Sequence, residues 1–360
     1  MRILFVNSAW RESWGGGEKW TVEAAAWFAA HGHATRVVGR PGSRLVEAAE
    51  AKGLSAVSNT FGGDLAPTAI MKARQIIREF DANLVVVNFN KEAWLFGIAG
   101  RIREVPVVAR HGFPLLRKGI YHRILLSVML DKLIVNARAI KEWYRALGLP
   151  VEEVEVIPNG TALIEQKREA LRKRFGIREG ELLVLGAGRL ESQKRFDRFL
   201  EIAAELIRRK LPVKFLIAGD GVLHDELESR IRAEGTEQQV RLAGFLPDFA
   251  EVAGGADLFL LTSENEGTPN VLLEAMAAGV ACVSFNVGSV PEVLTGDLSE
   301  NVIEEGDTKA MSARAAKLLD DVDLRARTAA RMRQRIEEEF SLDISMEKFE
   351  KVFQQVVRGT

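Results

Sequence analysis

Two carboxylates eight positions apart stand out in Ser263-Glu-Asn-Glu-Gly-Thr-Pro-Asn-Val-Leu-Leu-Glu-Ala-Met-Ala-Ala-Gly279. Glu266 precedes an expected helix start, and Glu274 lies about a turn and a half inside it. Thr268 is placed to cap that helix, and Pro269 suits its first position. The N–H groups around Gly267, Thr268, Asn270 and Val271 then lack helical acceptors and can hold an anion or hydroxyls. Two acids flanking a helix start can accept from hydroxyls at both ends of one elongated ligand. The alternative is a pair of surface acids, but Glu274 sits among Leu273, Ala275 and Met276, which is not a typical solvated face. A second loop, Leu185-Gly-Ala-Gly-Arg-Leu-Glu-Ser-Gln-Lys-Arg195, carries Arg189 and Lys194. A guanidinium fork and a point charge can clamp a diphosphate. The same loop can also be read as a solvated basic turn, and the third glycine of a dinucleotide fingerprint is absent because position 191 is Glu. A third loop, Ser8 to Glu18, holds Gly15, Gly16 and Gly17 before a helix, so its backbone can approach a ligand closely or form a flexible turn.

These loops need elements to position them. The chain of 360 residues is about two domains at roughly 100–200 residues each. Apolar runs of Val, Ile, Leu and Phe alternate with segments of helical period. The runs are Arg2–Asn7, Leu84–Asn88, Val105–Arg110, Leu182–Gly186, Lys214–Ala218, Asp257–Leu261 and Ala281–Phe285. Continuous rather than alternating hydrophobicity predicts strands covered on both faces, hence parallel sheets with crossover helices. Helices are expected over 18–31, 68–80, 196–210, 225–234 and 271–278, with Gly32, Gly235 and Gly279 at helix ends. The βα series restarts after a turn-rich stretch from Leu147 to Gly160. The expected fold class is α/β, with two doubly wound Rossmann-like domains facing a central cleft. Residues 1–155 form the first domain and 156–340 the second. Residues 341–360 form a terminal helix (Met346, Phe349, Phe353 and Val357 in helical spacing) packing back on the first domain. In such sheets ligands sit beyond the carboxyl ends of the strands, where all three loops fall.

Composition excludes several classes. The single cysteine, Cys282, rules out a disulfide framework and cysteine-based zinc fingers. The five histidines form no HExxH and no cluster, so no metal is expected. No run of about 20 apolar residues is present, and the opening Met-Arg-Ile-Leu-Phe-Val-Asn reads as a strand rather than a leader, so the expected setting is cytoplasmic. A net charge of −1 hides an asymmetry: residues 1–150 hold 21 Lys and Arg against 12 Asp and Glu. Residues 101–145 alone hold ten basic and three acidic residues, which points to an anionic partner. No stacking aromatics accompany them in a nucleic-acid module, so nucleic acid is not expected.

Together these segments resemble the retaining, nucleotide-sugar-dependent glycosyltransferases of the GT-B fold, family four (glycosyltransferases group 1). Glu266-Gly-Thr-Pro-Asn-Val-Leu-Leu-Glu274 is similar to that family's Glu-x7-Glu motif, and Gly188-Arg-Leu190 with Lys194 to its phosphate clamp. Val156-Ile-Pro-Asn-Gly160, Ile217-Ala-Gly-Asp-Gly221 and Leu242-Ala-Gly-Phe-Leu246 occur in the family's order. The resemblance implies that Arg189 and Lys194 bind the donor diphosphate and that Glu274 accepts from the ribose. It implies that Glu266 contacts the donor sugar and that the amides of Gly267 to Asn270 hold sugar hydroxyls and phosphate. Gly244, Phe245 and Leu246 would frame the nucleobase, and Gly16 and Gly17 would close on the phosphates. His111, in Val108-Ala-Arg-His-Gly112, would stand near the reacting carbon, although a lone histidine is more often structural. The chain departs from the family's usual pattern at Thr161-Ala162 and at Gly288-Ser289.

The implied reaction expels a nucleoside diphosphate. Fixed cations and a helix N-terminus can stabilise the developing charge without a metal or cofactor. Known relatives retain anomeric configuration, by same-face attack through an oxocarbenium-like state, and domain closure would limit donor hydrolysis. Asn88, Asn90 and Lys91 end one strand and can reach an acceptor. Residues 110–126 mix basic and bulky apolar side chains, which suits an anionic membrane surface or a phosphorylated lipid head as well as an ordinary helix with a basic outer face. The expected acceptor is a glycan or a lipid-linked glycan of cell-envelope or lipopolysaccharide assembly. Two alternatives remain: another enzyme on this scaffold, such as a nucleotide-sugar epimerase or sugar-phosphate synthase, and a non-catalytic nucleotide-sugar-binding protein.

Overall fold

The computed structural model describes residues 1–63 and 65–359. The chain forms two compact units, residues 1–159 with 343–360, and residues 160–342. The first unit holds strands β1 (Arg2–Val6), β2 (Ala34–Gly39), β3 (Ser55–Ser58), β4 (Leu84–Val87), β5 (Val107–His111), β6 (Lys132–Val135) and β7 (Glu155–Val156). They lie in the order β3-β2-β1-β4-β5-β6-β7, and every pairing is parallel. Because β7 pairs with β6, the first unit runs past the expected break at 155 as far as Asn159. Leu84–Val87 is buried throughout, as a continuous apolar run requires, and Val107–His111 is buried throughout with Arg110 and His111 included.

The second unit repeats the plan. Strands β8 (Leu182–Ala187), β9 (Val213–Ala218), β10 (Val240–Gly244), β11 (Leu258–Leu261), β12 (Ala281–Phe285) and β13 (Val302–Ile303) lie in the order β10-β9-β8-β11-β12-β13, again parallel. Each sheet reverses its strand order once, between β1 and β4 and between β8 and β11. Those reversals are where doubly wound sheets open a crevice beyond their carboxyl ends. The apolar runs all fall on strands, shifted by a residue or two at their ends.

The terminal helix, Leu342–Arg358, belongs from Asp343 onward to the first unit. Its Phe349 packs on Trp20 with ring centroids 5.0 Å apart, and Phe353 stacks on Phe28 at 5.3 Å. Polar ties flank this face: Trp27 Nε1 donates to Asp343 Oδ1 at 2.7 Å, and His33 Nε2 lies 3.0 Å from Glu350 Oε1. The chain's Asp321-Val322-Asp323 triplet serves a helix start, with Asp321 Oδ1 accepting from Leu324 N at 2.8 Å. Among the described residues no helix is long and apolar enough to cross a membrane.

Candidate functional site

In the second unit, the loops after β8 and β11 meet at the strand-order reversal. Lys194 Nζ donates to Glu266 Oε1 at 2.6 Å, with side chains only 16% and 5% exposed. Backbone and side chain stitch the same two loops. Glu264 N donates to Gln193 O at 3.0 Å, Gln193 Nε2 to Asn265 O at 2.6 Å, and Thr262 Oγ1 to Lys194 O at 3.1 Å. Arg195 adopts a left-handed φ of 50°, uncommon for a side chain with a Cβ, and its guanidinium bridges Asp197 and Glu264. Gln193, Arg195 and Thr262 were not expected at the site; their partners lie some 70 residues away, and no local pattern marks them. Arg189 is exposed and pairs with its neighbour Glu191 at 2.7 Å.

The helix following Glu266 falls within a residue of the expected 271–278, but its cap differs from the expected one. It spans Asn270–Ala277, with Pro269 at the cap position in extended conformation (φ −75°, ψ 101°) rather than at the first helical position, so Thr268 lies outside the helix and is not its cap. A proline's fixed φ suits both positions, and ψ decides between them. Glu266, Thr268 and Glu274 are all buried. The turn around Glu266 is shaped by Gly288: at φ +54°, a Cβ there would stand 2.3 Å from Glu266 O and 2.4 Å from Gly267 O. The next residue supports it, Ser289 N donating to Gly267 O at 2.9 Å.

The motif segments on β8, β9 and β10 also converge. Gly188 N donates to Ala218 O, Leu190 N to Asp220 O, and Gly219 N to Gly244 O. A Cβ at Gly219 would fall 1.8 Å from Gly188 O, so only glycine permits this approach. Phe245 is half exposed beside this junction, whereas Leu246 is buried in the core.

In the first unit, Gly16 and Gly17 form the first turn of the Gly16–Ala30 helix. One N–H of this loop is already used: Glu18 Oε2 accepts from Gly15 N at 2.8 Å. The amides of Gly16 and Gly17 remain in the turn where a helix offers no acceptor of its own. His111, at the end of β5, is buried; its Nδ1 lies 3.0 Å from the Tyr144 hydroxyl, and its Nε2 has no partner among the described residues. Burial, helped by the charges of Arg110 and His122, pushes the imidazole down to about 3, so it is neutral near pH 7. Arg110 is equally buried over the Trp20 ring, donates to Asn159 Oδ1 at 2.5 Å, and is pushed down to about 9 by burial, which the charge of the Glu18 carboxylate only partly offsets.

Asn88 does not reach outward as expected. Its Nδ2 is buried, 3.1 Å from Val6 O and 3.2 Å from Thr21 Oγ1, and Asn90 Nδ2 is held by Leu115 O at 3.0 Å. Their neighbour Glu92 is the functional-looking acid that sequence reasoning passed over. It is fully buried and accepts from Ser8 N, from Asn88 N at 2.8 Å and from Phe89 N at 3.2 Å. It thereby ties the ends of β1 and β4 together. Burial raises it to about 7 despite these donors. An acid in the first turn of a helix after a buried strand was the available signal.

Residues 167–335 match the family described as Glycosyl transferases group 1, and residues 14–163 match Glycosyltransferase Family 4. An N-acetyl-alpha-D-glucosaminyl L-malate synthase of Bacillus anthracis is 30% identical over 188 residues; the match covers 52% of this chain and about half, 49%, of that protein. A UDP-Gal:alpha-D-GlcNAc-diphosphoundecaprenol alpha-1,3-galactosyltransferase of Escherichia coli is 25% identical over 70% of each chain. The crystal structure of HepE from Anabaena, solved in complex with UDP, superposes with a TM-score of 0.85 at 21% identity, over 99% of this chain and 100% of that one. The shared architecture is the GT-B fold. Both halves of the sequence and the pairing order of both sheets lead to one assignment: the chain belongs to the group 1 glycosyltransferases of family four.

Proposed function

We propose that this protein is a retaining, metal-independent glycosyltransferase that moves a sugar from a nucleotide-sugar to a hydroxyl of a glycan or lipid-linked acceptor. The observation that carries this reading is the Lys194–Glu266 pair, which sets a cation and a carboxylate side by side at the β8/β11 reversal. Lys194, with Arg189, neutralises the diphosphate as the glycosidic bond breaks. Glu266 takes a hydroxyl of the transferred sugar, and Glu274 takes the ribose. The amides of Gly267, Thr268, Asn270 and Val271 hold phosphate and hydroxyls, with Pro269 fixing their turn. Gly244, Phe245 and Leu246 border the base, which the UDP bound to HepE supports as uracil. In the first unit, Gly16 and Gly17 offer amides to phosphate. The neutral His111 offers its unpartnered Nε2 to the sugar. Titration with UDP tests the assignment: wild-type protein binds UDP and releases it from a UDP-sugar, and Glu274→Ala weakens binding. Absence of UDP binding ends it.

The acceptor side has its own support. Half of the large apolar side chains that stand exposed among the described residues lie between Ile102 and Trp143. Ile120, Ile124 and Val128 project at helical spacing from the Ile120–Ile124 helix and the turn that continues it, flanked by Arg117, Lys118 and Arg123. An ordinary core helix with a basic outer face would bury those three. We therefore assign residues 101–145 to an anionic membrane surface, which fits the lipid-linked substrate named for the Escherichia coli relative. Co-sedimentation with vesicles containing phosphatidylglycerol at low salt tests it; no binding removes the membrane role.

A further inference from the structure

Three neighbouring strand ends of the first unit bring together groups that the donor site does not use. The loop after β1 carries Trp10, the residue after β2 is Arg40, and the segment after β3 carries Phe61. The Arg40 guanidinium lies 4.8 Å from the Trp10 ring centroid and 5.6 Å from that of Phe61. Its Nε donates to Ser8 O at 2.8 Å. Among the described residues Arg40 pairs with no carboxylate. Trp10 is 78% exposed, yet its loop is pinned. Ala9 N donates to Asn7 Oδ1 at 3.0 Å, Ser13 N to Trp10 O at 3.0 Å, and Arg44 N to Arg11 O at 3.0 Å.

A lone exposed tryptophan is ordinary. A tryptophan fixed by its loop, backed by an arginine and placed at the carboxyl edge of a parallel sheet is a preorganised platform. Its flat ring suits the C–H face of a pyranose. The guanidinium, held through Nε and between two rings, keeps its outer N–H groups in the fork that matches a carboxylate or a phosphate. We propose that Trp10 and Arg40 form a subsite for an acidic sugar, a pyranose bearing a carboxylate or phosphate, within the acceptor. The assignment to the acceptor rests on the glycosyltransferase reading above; the sugar binding itself does not.

Saturation-transfer difference NMR on the full chain, saturated with UDP, tests it with three probes: glucose, glucuronic acid and glucose 6-phosphate. Wild-type protein transfers saturation to the ring protons of an acidic probe about tenfold more strongly than to glucose, the value of one charge-assisted contact. A response confined to glucuronic acid assigns a carboxylate, and one confined to glucose 6-phosphate a phosphate. Trp10→Ala abolishes the response, Trp10→Phe retains part of it, and Arg40→Gln brings the acidic probe down to the level of glucose. The thermal shift produced by UDP is the same in all variants. No transfer to either acidic probe, transfer unchanged in Trp10→Ala, or an equal response to glucose overturns the proposal. Failure of UDP to shift wild-type melting instead strikes the donor assignment.

Discussion

Replacing Lys194 by Met separates the ion pair its ammonium makes from the diphosphate contact proposed for it. In the free protein it neutralises Glu266, whose side chain is 5% exposed. Breaking a fully buried pair costs about 3–5 kcal/mol. Here the lysine side chain keeps 16% of its surface in water, so about 1–3 kcal/mol is the working range. At roughly 2–4 °C per kcal/mol for a unit of this size, the thermal midpoint falls by several degrees. In the proposed donor complex the same ammonium faces the diphosphate, and a charge-assisted contact is worth about 1.5–3 kcal/mol, or roughly 10- to 150-fold in UDP affinity. The double variant Lys194→Met with Glu266→Gln distinguishes the roles. Removing both charges leaves nothing stranded, so the midpoint returns toward wild type while UDP affinity stays low. Calorimetric titration with UDP and differential scanning calorimetry read the two quantities independently. Wild-type UDP affinity in Lys194→Met, or recovery of affinity in the double variant, would refute the clamp and leave Lys194 a structural counter-ion.

Gly288→Ala drives a methyl group into Glu266 O and Gly267 O and strains a left-handed φ; turnover drops at least tenfold by displacement of the Glu266 turn, checked by UDP release, while far-UV circular dichroism is unchanged. Tyr144→Phe removes the hydroxyl that holds the His111 ring and accepts from Leu115 N at 2.9 Å; a fall in kcat with little change in KM for the donor marks Tyr144 as a positioning residue, and an unchanged kcat would show that His111 needs no alignment. Glu92 gives a pH signature. Its folded pKa, about 7, lies above the ordinary 4.5, so the folded state binds more protons between those values and stability falls as pH rises from about 5 to 7. The loss is on the order of 3 kcal/mol, and Glu92→Gln flattens that slope in urea titrations across this range; an equal slope in both proteins would assign it elsewhere.

What the sequence makes legible follows from where the physics is local. A strand buried on both faces must be apolar along its whole length, so Leu84–Val87 and Leu258–Leu261 are visible as runs. A loop that needs close backbone approach must contain glycine, and Gly188 and Gly219, visible in the sequence only as members of motif segments, meet at the junction of β8 and β9. Helix starts are less certain: Pro269 and Thr268 satisfy the same local rules one register apart, and the register is set by the turn that Gly288 supports from across the sheet. Glu92 and Asn88 show the converse. Asn88 reads as an outward-facing polar group at a strand end and Glu92 draws no notice in the first turn of a helix, yet both turn inward to satisfy backbone amides and carbonyls of β1 and β4.

The pairing that matters most has no local trace. Lys194 and Glu266 are 72 residues apart, and each alone is a charged residue in a loop. They meet only because β11 pairs with β8 rather than with β10, its neighbour in sequence. That choice puts the chain reversal between β8 and β11, so the loops leaving these two adjacent strands face one another without a crossover between them. The strand order itself aligns the cation and the acid. The same order, β2-β1-β4, recurs in the first unit, where Glu92 joins the ends of β1 and β4 by backbone contacts. One unit thus closes its reversal point with a carboxylate satisfied by amides, and the other keeps a charged pair there. That difference favours the second unit for the proposed donor.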